Sequence, residues 1–359
     1  MKKIKKVWRK LPIEKRLRIP INYFNLDELE ILKIRKIIDP KEKLIQSAKL
    51  QFETFGDIHT DLTSWIAGYA SDATVREKFG SSLKLREIFI KSKITNKKIK
   101  PSWADIKRNV ILPTEITKNL AEETGIHLGD GNLNINTDKF GWKRYGYNIT
   151  GNLAEEIIYY SKHILPLIKS LYNLEGRLLF NKDKNSITAD YKSKAIVEYK
   201  NKILKLPIGK KTYAQIPKEI MKDKELQKRV IIGLVDTDFS LINSMNLNLK
   251  LTSINVINQI SKILKNNKIN FNIKFYDNNK LGGIYINQRN SLKILEDWKL
   301  NNIKHISKYE VWKEFKKYFP YSHTEERLAL LKGIIDIEHL NKICNKRKKA
   351  SEKVETASR

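Results

Sequence analysis

Two short stretches carry residue types that could do chemistry. TGIHLGDG (residues 124–131) and IIGLVDTDF (231–239) each end a helix-like run on an aspartate, Asp130 in the first and Asp238 in the second. A helix C-terminus already bears partial negative charge, so an acid in its last turn is disfavoured by up to about 1 kcal/mol. Two such acids brought together repel unless a divalent cation lies between or beside them. Carboxylate oxygens, waters and a phosphate oxygen are the hard donors that Mg2+ or Mn2+ accepts. The chemistry such a pair supports is the binding of a divalent cation. Asp130 and Asp238 are therefore the candidate metal ligands and catalytic acids.

Bringing the acids together requires two helices that pack closely. Gly125 and Gly129 lie four apart and so share a helix face, and Gly233 and Thr237 repeat that placement 108 residues on. Small residues at this spacing let two backbones approach, which makes these four positions the expected helix interface. A single Asp-Gly-Asn reads as an ordinary turn from helix to strand. Two copies at matched positions, each after a small-residue face, read as two equivalent halves.

The repeat extends beyond the two motifs. LPTEI at 112–116 is matched by IPKEI at 216–220, each ahead of the helical run. After the first motif Asn132, Asn134 and Asn136 alternate with Leu133 and Ile135. After the second, Asn246, Asn248, Lys250 and Thr252 alternate with Leu247, Leu249 and Leu251. This period of two predicts strands with one polar and one apolar face. A later hairpin, FNIKFYDNNKLGGIYINQR, would put Lys274, Tyr276, Tyr285, Asn287 and Arg289 on the same polar face. Each half is predicted as an αββαββα unit, the first over residues 111–215 and the second over 216–340. The expected class is α+β, two pseudo-symmetric units forming a saddle, preceded by a mainly helical region at 1–110. The charged segment 341–359 reads as a disordered tail, and YFPYSHTEERLALLKGIIDI as a closing helix on the second half.

Composition points to the partner. The chain has 70 Lys+Arg against 40 Asp+Glu, a formal charge of +30, spread over its length. Each phosphate that Lys or Arg neutralises releases counterions, so a nucleic acid is the expected polyanion. Cys344 is the one cysteine among 359 residues, which excludes a disulfide framework and zinc fingers. No apolar run approaches a spanning helix, and the basic start lacks the apolar stretch of a signal peptide. The expectation is a cytoplasmic protein working on DNA, with no membrane partner. His127, inside the first motif, reads as a packed histidine.

The two motifs resemble the paired signature helices of the LAGLIDADG homing endonucleases in their single-chain, two-motif form. The likeness spans about residues 110–340 and includes LPIGKKTYAQIPKEI, similar to the segment between repeats in that family. It implies an intron-encoded, site-specific double-strand endonuclease, a monomer with an internal pseudo-twofold, reading a long asymmetric DNA target with Mg2+ or Mn2+. Carried over, Asp130 and Asp238 hold the metal. A basic residue near the end of each half's last strand, Lys192 or Lys194 and Arg289, assists catalysis. The strand residues Asn132, Asn134, Asn136, Asn246, Asn248, Lys250, Thr252, Lys274, Tyr276, Tyr285, Asn287 and Arg289 contact nucleic acid. Leu128 departs from the pattern where the motif has an earlier acid, kept in the second copy as Asp236, and Phe239 stands where a glycine usually follows. The alternatives are an RNA-splicing maturase acting on intron RNA and a non-cleaving DNA-binding regulator of the same fold.

Overall fold

The computed structural model describes residues 26, 28–55, 58, 60–69, 71–80, 85, 99, 101–242, 245–278 and 280–357. The chain divides into two compact units, one of residues 1–97 and 101–111, the other of 98–100 and 112–359.

The described part of the smaller unit is helical: α1 (Glu28–Arg35), α2 (Pro40–Phe55), α3 (Thr60–Ile66), α4 (Ala73–Phe79) and α5 (Trp103–Lys107). Leu26, Ile31, Ile34, Leu62 and Ile66 form its buried cluster. Asp39 caps α2, accepting from the Glu42 N–H at 2.9 Å, with Pro40 as the first helical residue. Ser102 and Asp105 form a capping box on α5.

The larger unit opens with α6 (Lys118–Gly129), followed by β1 (Gly131–Thr137), β2 (Lys143–Asn152), α7 (Leu153–Tyr159), α8 (Leu165–Tyr172), β3 (Arg177–Asn181), β4 (Ser186–Tyr191) and α9 (Lys194–Lys202). A π-helical turn at Tyr160–Ile164 joins α7 to α8. The order then repeats as α10 (Lys224–Thr237), β5 (Ser240–Ile242), β6 (Asn246–Leu251), α11 (Ile254–Asn266), β7 (Asn272–Tyr276), β8 (Leu281–Ile286) and α12 (Gln288–Asp297). Both halves are αββαββα, as the repeat predicts. The sheets are antiparallel with matching orders, β1-β2-β4-β3 and β5-β6-β8-β7.

The alternation in sequence becomes alternation in burial. Leu133, Leu247 and Leu249 are fully or almost fully buried, whereas Asn132, Asn136, Lys250 and Thr252 are exposed and Asn246 and Asn248 half-buried. One face of β1 and of β6 therefore packs inward, and the other faces solvent. The first hairpin, β1 to β2, is the longer of the two. Its tip is ordered by Asp138, whose carboxylate accepts from the backbone N–H of Phe140 and Trp142, both at 3.0 Å.

After α12 come α13 (Ile303–Phe315), α14 (Thr324–Leu331) and α15 (Ile337–Ala357). One expectation is corrected here and one is extended. The segment from 341, read as disordered, continues α15: Leu340 and Cys344 pack with Val311, Phe319 and Leu330, and Arg347 pairs with Glu326 at 2.6 Å. The segment read as closing on the second half also ties to the first. The buried Arg327 of α14 pairs with Glu155 of α7 at 2.6 Å, and Thr324 donates to the same carboxylate. A buried guanidinium needs a carboxylate, and the nearest one is supplied from α7, far away in sequence.

Candidate active site

The centre is built from the ends of α6 and α10, which pack backbone to backbone. A Cβ on Gly125 would lie 2.1 Å from the Val230 carbonyl oxygen, and one on Gly233 would lie 2.2 Å from that of Glu122. A Cβ on Gly129 would lie 2.2 Å from Thr237 Oγ1. Thr237 fits because its hydroxyl turns back to the Gly233 carbonyl at 2.8 Å. All four predicted interface positions thus stand at the helix contact.

This contact carries the acids together. Asp130 ends α6 and Asp238 ends α10, both in right-handed turn conformation (φ −84°, ψ −8° and φ −89°, ψ −21°). A Cβ on Gly129, the residue before Asp130, would lie 3.4 Å from Asp238 Cβ. Neither exit turn uses a left-handed residue, so Phe239 causes no backbone strain where the first copy has Gly131. Gly131 is required for a different reason: a Cβ there would lie 2.5 Å from His127 Cα. Phe239 is buried in the core of its half.

The electrostatics are those of a buried acid pair. Asp130 is pushed well above the usual carboxylate range by burial, then by the negative charges of Glu156 and Asp238. Asp238 is also raised by burial, against the pull of Lys211 and Lys304. Lys211 is lowered by burial, with Asp238 and Asp130 opposing. Asp130, Asp238, Glu156, Lys211 and Lys304 therefore form one charge cluster. Lys211 donates to the carbonyls of Leu128 at 2.9 Å and Gly129 at the C-terminus of α6. Lys304 donates to Glu156 Oε1 at 2.6 Å. Two carboxylates whose ionised forms are disfavoured by burial and mutual repulsion suit a hard divalent cation. Among the described residues no three His, Cys, Asp or Glu side chains are grouped to hold a metal alone. Water and phosphate oxygens would complete the shell.

The two lysines expected at the centre are engaged elsewhere. Lys192 pairs with Asp190 at 2.7 Å, and Lys194 pairs with Glu198 at 3.8 Å while lying 5.7 Å from the Tyr145 ring. Arg289 is exposed in the first turn of α12. The cations whose charges reach the acids are Lys211 and Lys304. Each follows its half's last strand by one helix and a loop, but LPIGKK set against LNNIKH puts Lys304 opposite Lys210, so the repeat does not single out Lys211. Glu156 gives no signal in sequence either.

Asp236, the earlier acid of the second motif, is held by main-chain donors. It is fully buried and accepts from the backbone N–H of Asn301 and Asn302, both at 3.0 Å. Burial pushes it up to about 7, against those two hydrogen bonds. His127 is buried beside Tyr147, with ring centroids 5.6 Å apart, and kept neutral by burial and by the charges of Lys200 and Lys211. Its packed role stands.

The strand residues divide in the same way. Asn132, Asn136, Lys250, Thr252, Lys274, Tyr285 and Asn287 are exposed, and Asn134, Asn246, Asn248 and Tyr276 half-buried. Lys250 and Lys274 lie 5.3 and 5.2 Å from the Tyr276 ring, so the β6–β8–β7 face carries a cation–π cluster. Asn287 is also the N-cap of α12, accepting from the Asn290 N–H at 3.2 Å. The tip of the first hairpin exposes Phe140 and Trp142, flanked by Lys139, Lys143 and Arg144, and the shorter β5–β6 hairpin has no comparable extension.

No protein-family model matches the sequence, and no curated protein matches it significantly. Solved structures do. The homing endonuclease I-DmoI in complex with DNA and Mn is similar at 19% identity, over 50% of this chain and 94% of that chain, with a TM-score of 0.40. The I-LtrWI LAGLIDADG homing endonuclease bound to target DNA is similar at 14% identity, over 64% of this chain and 96% of that one, with a TM-score of 0.37. The N-terminal LAGLIDADG domain of DUF199/WhiA is similar at 16% identity, over 51% and 83% of the two chains, with a TM-score of 0.32.

Proposed function

We propose that the chain is a site-specific DNA endonuclease that hydrolyses phosphodiester bonds with a divalent metal, Mg2+ or Mn2+. The observation that carries this reading is the meeting of Asp130 and Asp238 at the ends of two helices in backbone contact, with Lys211 and Lys304 in the same charge cluster. Asp130 and Asp238 would hold the cation, which when bound activates water and stabilises the leaving oxygen. Lys211 and Lys304 offset the negative charge that grows on the phosphoryl oxygens. Thr237 and the three glycines fix the spacing of the acids. No protein nucleophile is needed.

The partner is double-stranded DNA. The polar faces of the two four-stranded sheets supply base contacts, and the surrounding lysines supply phosphate contacts. The unequal hairpins support an asymmetric target. The pseudo-twofold lies within one chain, so a monomer suffices.

A non-cleaving protein of the same fold, a regulator on DNA or a maturase on intron RNA, is favoured by one observation. Lys211 and Lys304 oppose the rise of Asp238, so part of the acid charge is met by the chain's own cations. One experiment separates the readings: cleavage of a randomised duplex library with Mg2+ by the wild type and by Asp238→Asn. A discrete site cut by the wild type, and bound but not cut by the variant, supports the endonuclease. Specific binding by both without cutting supports the regulator, and preference for folded RNA the maturase.

A further inference from the structure

The two lysines of the acid cluster are held differently, and the difference traces to one side chain. Lys211 is held by main-chain carbonyls at the end of α6, which are partial charges. Lys304 is held by a formal charge, Glu156 Oε1, at 2.6 Å. Glu156 is itself fixed. Asn302 Nδ2 donates to the same oxygen at 2.9 Å, the Asn152 N–H donates to Oε2 at 2.7 Å, and the residue is 2% exposed. The two halves do not match here. Glu156 is the fourth residue of α7, which follows its N-cap Asn152. The matching helix α11 follows its N-cap Ser253, and its fourth residue is the fully buried Ile257. The second half therefore brings no acid to the corresponding place.

We infer that Glu156 is a positioning residue that sets the order of strand cleavage, by holding Lys304 in an ion pair that Lys211 has no counterpart for. The inference rests on the endonuclease reading. A lysine stabilises charge developing on a scissile phosphate less well when a carboxylate in contact already compensates it. The phosphate served by Lys211 is then cut first, and nicked duplex accumulates before the second strand is cut.

The test uses the full chain, Mg2+ and a duplex recovered by its binding from a randomised library, with each strand labelled separately. The wild type is expected to cut one strand about tenfold faster than the other. Glu156→Gln, which keeps the shape, and Glu156→Ile, which copies the second half, should speed the slow strand and bring the ratio towards one. The slow strand should change by the larger factor. In a Lys304→Met background the substitution at 156 should have no effect on the ratio. Equal rates on both strands in the wild type would overturn the inference. So would an equal slowing of both strands by Glu156→Gln, the mark of a purely structural role. If the wild type binds the duplex but nicks neither strand with Mg2+ or Mn2+, the endonuclease reading itself falls and this inference with it, a result distinguished by the absence of any nick.

Discussion

Gly233 stands so near the first motif helix that a Cβ on it would lie 3.1 Å from Gly125 Cα and 2.2 Å from the Glu122 carbonyl oxygen. The obstruction is main chain on both sides, so no rotamer change relieves it. Gly233→Ala should destabilise the larger unit by about 3 kcal/mol, the upper range for overpacking. A urea unfolding midpoint for the variant equal to that of the wild type would contradict the close helix contact.

Asp130 and Asp238 have folded-state pKa values above their ordinary carboxylate value. The folded state therefore binds protons more tightly than the unfolded one, and stability from these groups is lost as pH rises through their folded values. In metal-free buffer Asp130→Asn should be more stable than the wild type at pH 7 by about 1 kcal/mol, and the gap should close as the pH falls towards 4. Millimolar Mg2+ or Mn2+ should raise the wild type's Tm and leave the Asn variant's unchanged. Thermal melts with and without metal measure both effects.

Glu155 shows the opposite sign. Burial would raise its pKa, but the hydrogen bond and charge of Arg327 hold it below the usual value. Its contribution is present above about pH 4.5, the ordinary glutamate range, and is lost as the pH falls through the depressed folded value. Glu155→Ala leaves the Arg327 guanidinium buried without its carboxylate and should cost about 3–5 kcal/mol. Replacing Arg327 as well, in Glu155→Ala/Arg327→Met, should recover part of that loss in a denaturation series.

Lys211→Met removes the cation nearest the end of α6 while keeping a long side chain. Cleavage should fall by about 10²–10³-fold with DNA affinity nearly unchanged. Lys192→Met and Lys194→Met, whose ammonium groups are engaged by Asp190 and Glu198, should each change the rate by less than about threefold on the same scale. Single-turnover cleavage on a fixed duplex compares the three.

Much of the fold was legible because it is written in local patterns. Gly125, Gly129, Gly233 and Thr237 announce a helix face by spacing alone, and Asn132 to Asn136 and Asn246 to Thr252 announce half-buried strands by alternation. The acids were legible because they interrupt a helix end where charge is unfavourable. The lysines of the centre were not, because Lys211 lies in a loop and Lys304 in α13, and 93 residues separate them where 108 separate the motif glycines. Lys192 and Lys194 stood closer to a strand end and so looked better placed. Glu156 was invisible for another reason: an acid in the first turn of α7 reads as ordinary helix-dipole complementarity. Its pairing with Asn302 and Lys304 exists only in three dimensions. The order of α15 depends likewise on Leu340 and Cys344 reaching a cluster formed elsewhere in the chain.

The glycine contact has a further consequence for how such a chain can change over time. Because main chain meets main chain at Gly125 and Gly233, the interval between Asp130 and Asp238 is held by the stiffest part of the molecule and owes little to any rotamer. Residues on the two solvent-facing sheet surfaces lie outside that contact. They are free to drift, in one half independently of the other, while the ruler between the acids keeps its length. Under the proposed function, recognition and spacing are thus inherited separately, and a lineage built on this frame can acquire new addresses without rebuilding its centre.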